Sequence, residues 1–286
     1  MRPSIRSPEP MPRVSVLLPV RDAAATIGAA LKSVLRSTER NLECVVVDDA
    51  SRDESGRIAR AIADRDPRVR VIGGEGRGLV AALEIGRSAC RAPWIARMDA
   101  DDLMHRLRLS EQLAACETNG WDACGSHVRL FPRAILKDGA RAYERWIGSL
   151  HTPEDLARDR FVECPLVHPT LLVRRECLSY RDTGWPEDYD LVLRLYEERR
   201  RIGVVPRRLV SWREGPTRLS RTHAAYTPER FAACKAHFLA RGFLVTSTTY
   251  LLAGYGPAGK MLRAALAREG RRASHLLDLK PGRIGR

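Results

Sequence analysis

The chain has 286 residues, of which 44% are hydrophobic and 29% charged, a balance suited to a globular protein with a sizeable core. Its formal net charge is +14, carried mostly by arginine, yet no run approaches the roughly 20 uncharged apolar residues of a membrane span, so no spanning helix is expected. Seven cysteines without a C-x-x-C pair exclude a zinc knuckle and a disulfide framework and read as buried thiols of a reducing compartment.

Residues 1–12 are basic but interrupted by Pro and Glu, which suits a flexible N-terminus and not a secretory signal, so the cytoplasm is the expected location. From Val14 onward, short β-rich runs alternate with helical patterns. "VSVLLPV" precedes a helix near Ala24 to Ser37, and "LECVVVDDA" precedes one near Asp53 to Asp64. "VRVIGG" precedes a helix at Leu79 to Ala89, and "WIARMDA" one from about His105 to Asn119. Strands separated by helices of this length imply βαβ units and a mostly parallel sheet, an α/β fold. Ser51 with Glu54 is expected to form a capping box at the second helix.

The alternation fades after about Leu130, where longer loops and short helices suit a half that shapes a substrate pocket. Two elements then stand out: a helix from Glu187 to Arg199 with Tyr189, Val192, Leu193 and Tyr196 at core-facing spacing, and the strand "RRLVSW".

Carboxylates cluster at two predicted strand ends, Asp48-Asp49 and Asp99, Asp101 and Asp102. Open α/β sheets bind ligands beyond the carboxyl ends of their strands. In "DADD" the alternation of an extended segment lets Asp99 and Asp101 share a side while Ala100 packs away. Carboxylates so close disfavour one another's charged form unless a cation compensates, and all-oxygen ligands favour Mg²⁺ or Mn²⁺. Alone, the cluster reads equally well as a solvated turn with capping aspartates.

Six ordered pieces together are more specific: "VSVLLPVRD", "VVVDDASRD", "GRGLVAALEIG", "ARMDADD", "VHPTLLVRR" and "WPEDYDLVLRL". Over residues 13 to 235 the chain resembles the family 2 glycosyltransferases, inverting enzymes of the GT-A fold that use nucleotide-sugar donors. The resemblance implies that Pro19, Val20, Asp22 and Asp49 hold the nucleotide. It further implies that Asp99 and Asp101 form the D-x-D pair that holds Mn²⁺ or Mg²⁺ on the diphosphate. Gly78 and Arg97 flank the donor segments, His168 is a candidate for the acceptor pocket, and "PEDYD" supplies Glu187 as a substrate contact and Asp188 as catalytic base. Without the resemblance, stabilisation of a helix N-terminus by Glu187 and Asp188 is the favoured reading. The processive members' Q-x-x-R-W motif is absent, and "SWREGPTRLSR" resembles the matching segment of non-processive transferases, so one sugar per binding event is expected.

The implied partners are a nucleotide-sugar donor and a glycan or lipid-linked acceptor, in cell-surface glycan or polysaccharide biosynthesis. With 6% aromatics and no nucleic-acid module, the basic surface is expected to meet anionic headgroups or diphosphates and not nucleic acid, with peripheral association at the inner face of the plasma membrane and a homodimer both compatible. The transferase domain is expected over 13–240.

Residues 245–286 carry G-x-G-x-x-G at Gly254, Gly256 and Gly259 between an apolar run and a helical pattern, with Asp278 downstream. A full dinucleotide site needs two such halves. The segment is therefore expected to be a truncated Rossmann-like βαβ extension that packs or dimerises. The alternative is a regulatory or oxidoreductase-like protein that binds NAD through this motif.

Overall fold

A computed structural model describes residues 11–216 and 218–278. They form two compact units. The first runs through Asp159 and adds Pro165–Tyr180 and Arg200–Glu214; the second gathers Arg160–Cys164, Arg181–Arg199 and the chain from Gly215 onward.

In the first unit the chain order is β1 (Val14–Val20), α1 (Ile27–Leu35), β2 (Leu42–Asp48), α2 (Ser55–Ala63), β3 (Val69–Gly73), α3 (Leu79–Ala89), β4 (Trp94–Arg97) and β5 (Leu103–Met104). It continues with α4 (Arg108–Asn119), β6 (Ala123–Phe131), α5 (Asp138–Ile147), α6 (Pro153–Asp159), β7 (Leu172–Arg174) and β8 (Ile202–Arg213). These strands make one sheet in the order β3-β2-β1-β4-β7-β6-β8-β5. The β1–β2, β2–β3, β1–β4 and β6–β8 pairs are parallel, whereas β7 runs antiparallel to β4 and β6, and β5 antiparallel to β8. The sheet is thus mostly parallel, as the alternating pattern predicts.

Every residue of β1 is buried, which explains why it reads as an unbroken apolar run: helices cover both faces of a parallel sheet. On α1, Ile27, Ala30, Leu31 and Val34 recur at helical spacing and enter the core. On α3, Gly86 permits close approach, since a Cβ there would lie 2.2 Å from Leu17 Cδ1.

At the N-terminal edge of the strands, Glu43 is buried and accepts from Ser15 Oγ at 2.6 Å, Arg70 Nη1 at 2.9 Å and the Arg91 amide at 2.6 Å. Burial pushes this carboxyl up, and the donors outweigh it and hold it below the usual range. This acid joins β1, β2 and β3 from within.

The expected capping box at Ser51 and Glu54 does not form. Ser51 Oγ instead accepts from the Asp22 amide at 3.2 Å, and Asp53 Oδ1 accepts from the Ser55 amide at 2.9 Å. Donors from the loop after β1 compete successfully for the local acceptor. All seven cysteines are free and buried.

The second unit contains α7 (Glu187–Glu197), α8 (Leu219–Thr222), α9 (Pro228–Arg241), β9 (Thr249–Ala253), α10 (Pro257–Arg268) and β10 (Arg272–Leu277). Strands β9 and β10 pair in parallel around α10, the βαβ arrangement read from the glycine motif. Gly254 has φ +87°, and a Cβ on Gly259 would lie 2.0 Å from the Gly254 carbonyl oxygen, so each glycine is needed where it stands. Ala232, Ala236, Ala265 and Leu266 form the buried seam beneath. Among the described residues, no helix is long and apolar enough to cross a membrane.

Candidate active site

The carboxyl ends of β1, β2 and β4 lie on one edge of the first unit's sheet, because the three strands are parallel and adjacent. β4 pairs with β1 only as far as Leu17–Arg97, and the Met98 amide still bonds the Leu17 carbonyl at 3.0 Å. Beyond that the β4 chain turns away. Pro19, buried near the end of β1, therefore lacks an N–H where no β4 partner remains. Val20 is buried beside it.

Asp22 follows at φ +51°. Its Oδ1 accepts from the Arg52 amide at 2.7 Å, so this carboxylate latches the loop after β2 to the loop after β1. Asp48 accepts from the Ser51 amide at 3.1 Å and stands near Arg60.

Asp49 is 3% exposed. Its Oδ2 accepts from the Gly78 amide at 3.0 Å and lies 3.6 Å from Arg21 Nη1. Its Oδ1 is buried and, among the described residues, has no hydrogen-bond partner. An unmet buried acceptor costs about 1–3 kcal/mol, and a strand edge that retains one is suited to a ligand donor. Gly78 reaches the carboxylate because it starts α3 at φ +96°. Gly74 packs against the same residue: a Cβ there would lie 2.8 Å from Asp49 Cα and 2.9 Å from Oδ1.

Asp99, Asp101 and Asp102 each present a carboxylate oxygen within 4.8 Å of the others. Ala100 packs into the core, as the alternation in "DADD" predicts. The three aspartates differ in their surroundings. Asp102 is 1% exposed and its Oδ1 accepts from the Arg213 amide at 2.6 Å, tying the cluster to the end of β8. Arg213 Nε also donates to the Asp101 carbonyl at 2.7 Å, and its guanidinium lies 4.5 Å from the Phe131 ring centroid. Asp99 and Asp101 are half-buried.

Arg97 is buried, not a surface residue, and forms an ion pair with Asp99. Beneath it Arg108, wholly buried, donates from Nη2 to the Arg97 carbonyl at 3.0 Å and the Leu171 carbonyl at 3.2 Å. Burial pushes the Arg108 guanidinium down to about 9. The acidic turn thus rests on a rigid, hydrogen-bonded base. His168 is buried with its Nε2 2.8 Å from the Tyr180 hydroxyl. Glu84 accepts from the Tyr180 amide at 2.6 Å, which gives that acid a role in holding the 180 segment.

In the second unit, the first turn of α7 carries Glu187, Asp188 and Asp190. Asp190 is wholly buried, bound by Arg181 Nη2 at 2.6 Å and Nε at 3.0 Å, Arg194 Nε at 2.9 Å and Trp185 Nε1 at 3.0 Å. Burial pushes its carboxyl up, and those donors prevail and hold it low. Glu187, also buried, accepts from the Tyr226 hydroxyl at 2.5 Å. Asp188 alone of the three is half-exposed, with Oδ1 accepting from the Tyr189 amide at 2.8 Å.

Sequence reasoning overlooked Arg213, Gly74 and the Asp190 network. Only the last carried a local signal, the i,i+4 spacing of Asp190 and Arg194.

Residues 15–178 match the family described as Glycosyl transferase family 2. EpsJ of Bacillus subtilis, an uncharacterized glycosyltransferase, is 27% identical over 226 residues, covering 76% of this chain and 65% of EpsJ. The putative glycosyltransferase EpsE of the same organism is 27% identical over 266 residues, covering 88% of this chain and 92% of EpsE. The succinoglycan biosynthesis protein ExoU of Rhizobium meliloti is 32% identical over 151 residues, 52% of this chain and 42% of ExoU. Among solved structures, S. aureus TarS residues 1–349 with UDP-GlcNAc superposes with a TM-score of 0.62 at 16% identity, covering 90% of this chain and 72% of TarS. The mannosyltransferase PcManGT of Pyrobaculum calidifontis, solved with GDP-Man and Mn²⁺, gives 0.55 at 17% identity over 91% of this chain and 69% of its own. At those identities the likeness speaks for the fold, which is GT-A.

Proposed function

The chain belongs to the family 2 glycosyltransferases, and from that premise we propose that it transfers one sugar per binding event, with inversion, from a nucleotide-diphosphate sugar to an acceptor hydroxyl in polysaccharide biosynthesis. The observation that carries the reading is the trio of carboxylates within 4.8 Å at the edge that also bears the unmet oxygen of Asp49.

Asp49 Oδ1 accepts a hydrogen bond from the nucleoside, beside the backbone of Gly74 and Gly78. The all-oxygen set of the acidic turn fits a hard divalent cation, held by Asp99 and Asp101, while Asp102 is occupied in anchoring β8. Mn²⁺ or Mg²⁺ bound there would neutralise charge on the leaving diphosphate, worth several kcal/mol. Arg97 keeps Asp99 oriented and adds positive potential behind it. Asp188 takes the proton of the attacking hydroxyl. Its place in the first turn of α7 favours the carboxylate form, and its half-exposed setting leaves it accessible where Asp190 and Glu187 are enclosed.

Support for the donor class comes from TarS with UDP-GlcNAc and PcManGT with GDP-Man and Mn²⁺, and for the pathway class from ExoU. The lack of Q-x-x-R-W supports single transfer.

Thermal shift with UDP, GDP and NAD, each with and without Mn²⁺, tests the reading. A bound nucleotide at about a hundred times its Kd stabilises by about 2.7 kcal/mol. Stabilisation by a nucleoside diphosphate that requires Mn²⁺ is expected; metal-independent stabilisation by NAD alone would replace the transferase reading with one centred on the C-terminal glycine motif. A screen of nucleotide-sugar hydrolysis then names the donor.

A further inference from the structure

Within the second unit, the loop after α9 displays Phe243 at 66% and Val245 at 62% exposure, and Val162 is exposed at 59%. Phe243 lies against the 160–162 segment, and Val245 follows it in the same turn, its amide bonded to the Gly242 carbonyl at 3.1 Å. The Phe243 ring stacks edge-on against Phe161 at 5.9 Å, and Lys235 Nζ donates to the Val162 carbonyl at 2.7 Å. The Arg160 guanidinium lies 4.9 Å from the Phe243 centroid and 5.1 Å from that of Phe161. Large exposed apolar side chains gathered together mark an interaction surface.

The charge of the chain from Arg230 of α9 onward, which carries Phe243 and Val245, selects the occupant. Between Arg230 and Asp278 the chain carries eight Lys and Arg against two Asp and Glu. Arg241, next but one to Phe243, is half-exposed and pairs with Glu197 at 2.7 Å, an acid that offsets only part of this excess. A second copy of the chain would oppose one basic patch with another. A nucleic acid would gain nothing from valines. A surface that accepts apolar side chains and attracts cations together is an anionic bilayer.

We propose that this patch is a docking face for an anionic lipid bilayer, with Phe243 and Val245 entering the interface and Lys235 and Arg241 meeting lipid phosphates. The proposal is independent of the transferase reading and concerns residues outside the acidic cluster.

Co-sedimentation of the full chain is measured with vesicles of phosphatidylcholine alone and of phosphatidylcholine with phosphatidylglycerol in equal parts. Binding is expected to the anionic vesicles, weakening with salt. Joint Phe243→Ser and Val245→Ser substitution lowers partitioning at least ~10-fold through lost apolar burial. Joint Lys235→Gln and Arg241→Gln substitution lowers it on the order of 10-fold through lost charge. Because Phe243→Ser also removes a ring contact, Val245→Ser alone serves as the second variant, with an expected loss of about 3-fold or more. No binding to anionic vesicles, or equal binding by the apolar variants, overturns the proposal. So does a dimer in sedimentation analysis that Val245→Ser abolishes in the absence of lipid.

Discussion

Replacing Asp190 with Asn tests whether α7 is held by its buried carboxylate. In the native chain four donor contacts converge on this side chain, two from Arg181, one from Arg194 and one from Trp185. Removing the charge takes from Arg181 and Arg194 the counter-charge that Asp190 supplies, and the new amide N–H groups face N–H donors. Breaking a buried ion pair costs about 3–5 kcal/mol. Arg181, 44% exposed, can rehydrate, whereas Arg194, 10% exposed, cannot, so the low end of that range applies, about 3 kcal/mol. At about 2–4 °C per kcal/mol, Asp190→Asn lowers Tm by on the order of 10 °C by calorimetry at neutral pH. The pH dependence adds a second criterion. Asp190 is held below its ordinary value in the folded chain, so its contribution is complete above the unfolded value of about 3.9 and is lost as pH falls through the folded value. The gap between wild type and variant therefore narrows in acid. A Tm within about 2 °C of wild type at neutral pH, or a gap that widens in acid, refutes the reasoning.

Three further outcomes are expected. Asp188→Asn leaves donor-induced thermal stabilisation intact while transfer falls by about 10²–10⁴, the usual contribution of a general base; normal turnover removes Asp188 from that role. Asp101→Ala abolishes the Mn²⁺-dependent part of the nucleoside diphosphate thermal shift, whereas an unchanged titration places the ion elsewhere. Gly74→Ala drives a methyl against Asp49, costs about 1–3 kcal/mol of stability and weakens donor binding in calorimetric titration; unaltered affinity would separate Asp49 from the nucleoside.

How far each feature could be read in advance follows from the range of the interactions behind it. The stretch 79–89 was legible to the residue, because its apolar period and flanking glycine are local, and α3 spans those residues. The predicted capping box at Ser51 failed because the winning donor, the Asp22 amide, is 29 residues away. In the acidic turn, alternation foresaw that Ala100 would pack inward, but the distinct setting of Asp102 depends on Arg213, 111 residues downstream. Nothing near Asp102 announces that partner.

The sequence by itself determined the strand and helix alternation, the mostly parallel sheet, the position of the carboxylates at strand ends and the C-terminal βαβ unit, since each rests on periodicity or on glycines whose φ angles are local. Only the tertiary structure decided which acids are occupied and which are accessible. Glu43 and Asp102 accept from donors in remote parts of the chain and Asp190 from donors within its own segment, while Asp99, Asp101 and Asp188 keep some exposure and Asp49 keeps one unmet oxygen. The physical reason is that a carboxylate's chemistry depends on burial and on its hydrogen-bond donors, and packing brings those donors together from distant positions.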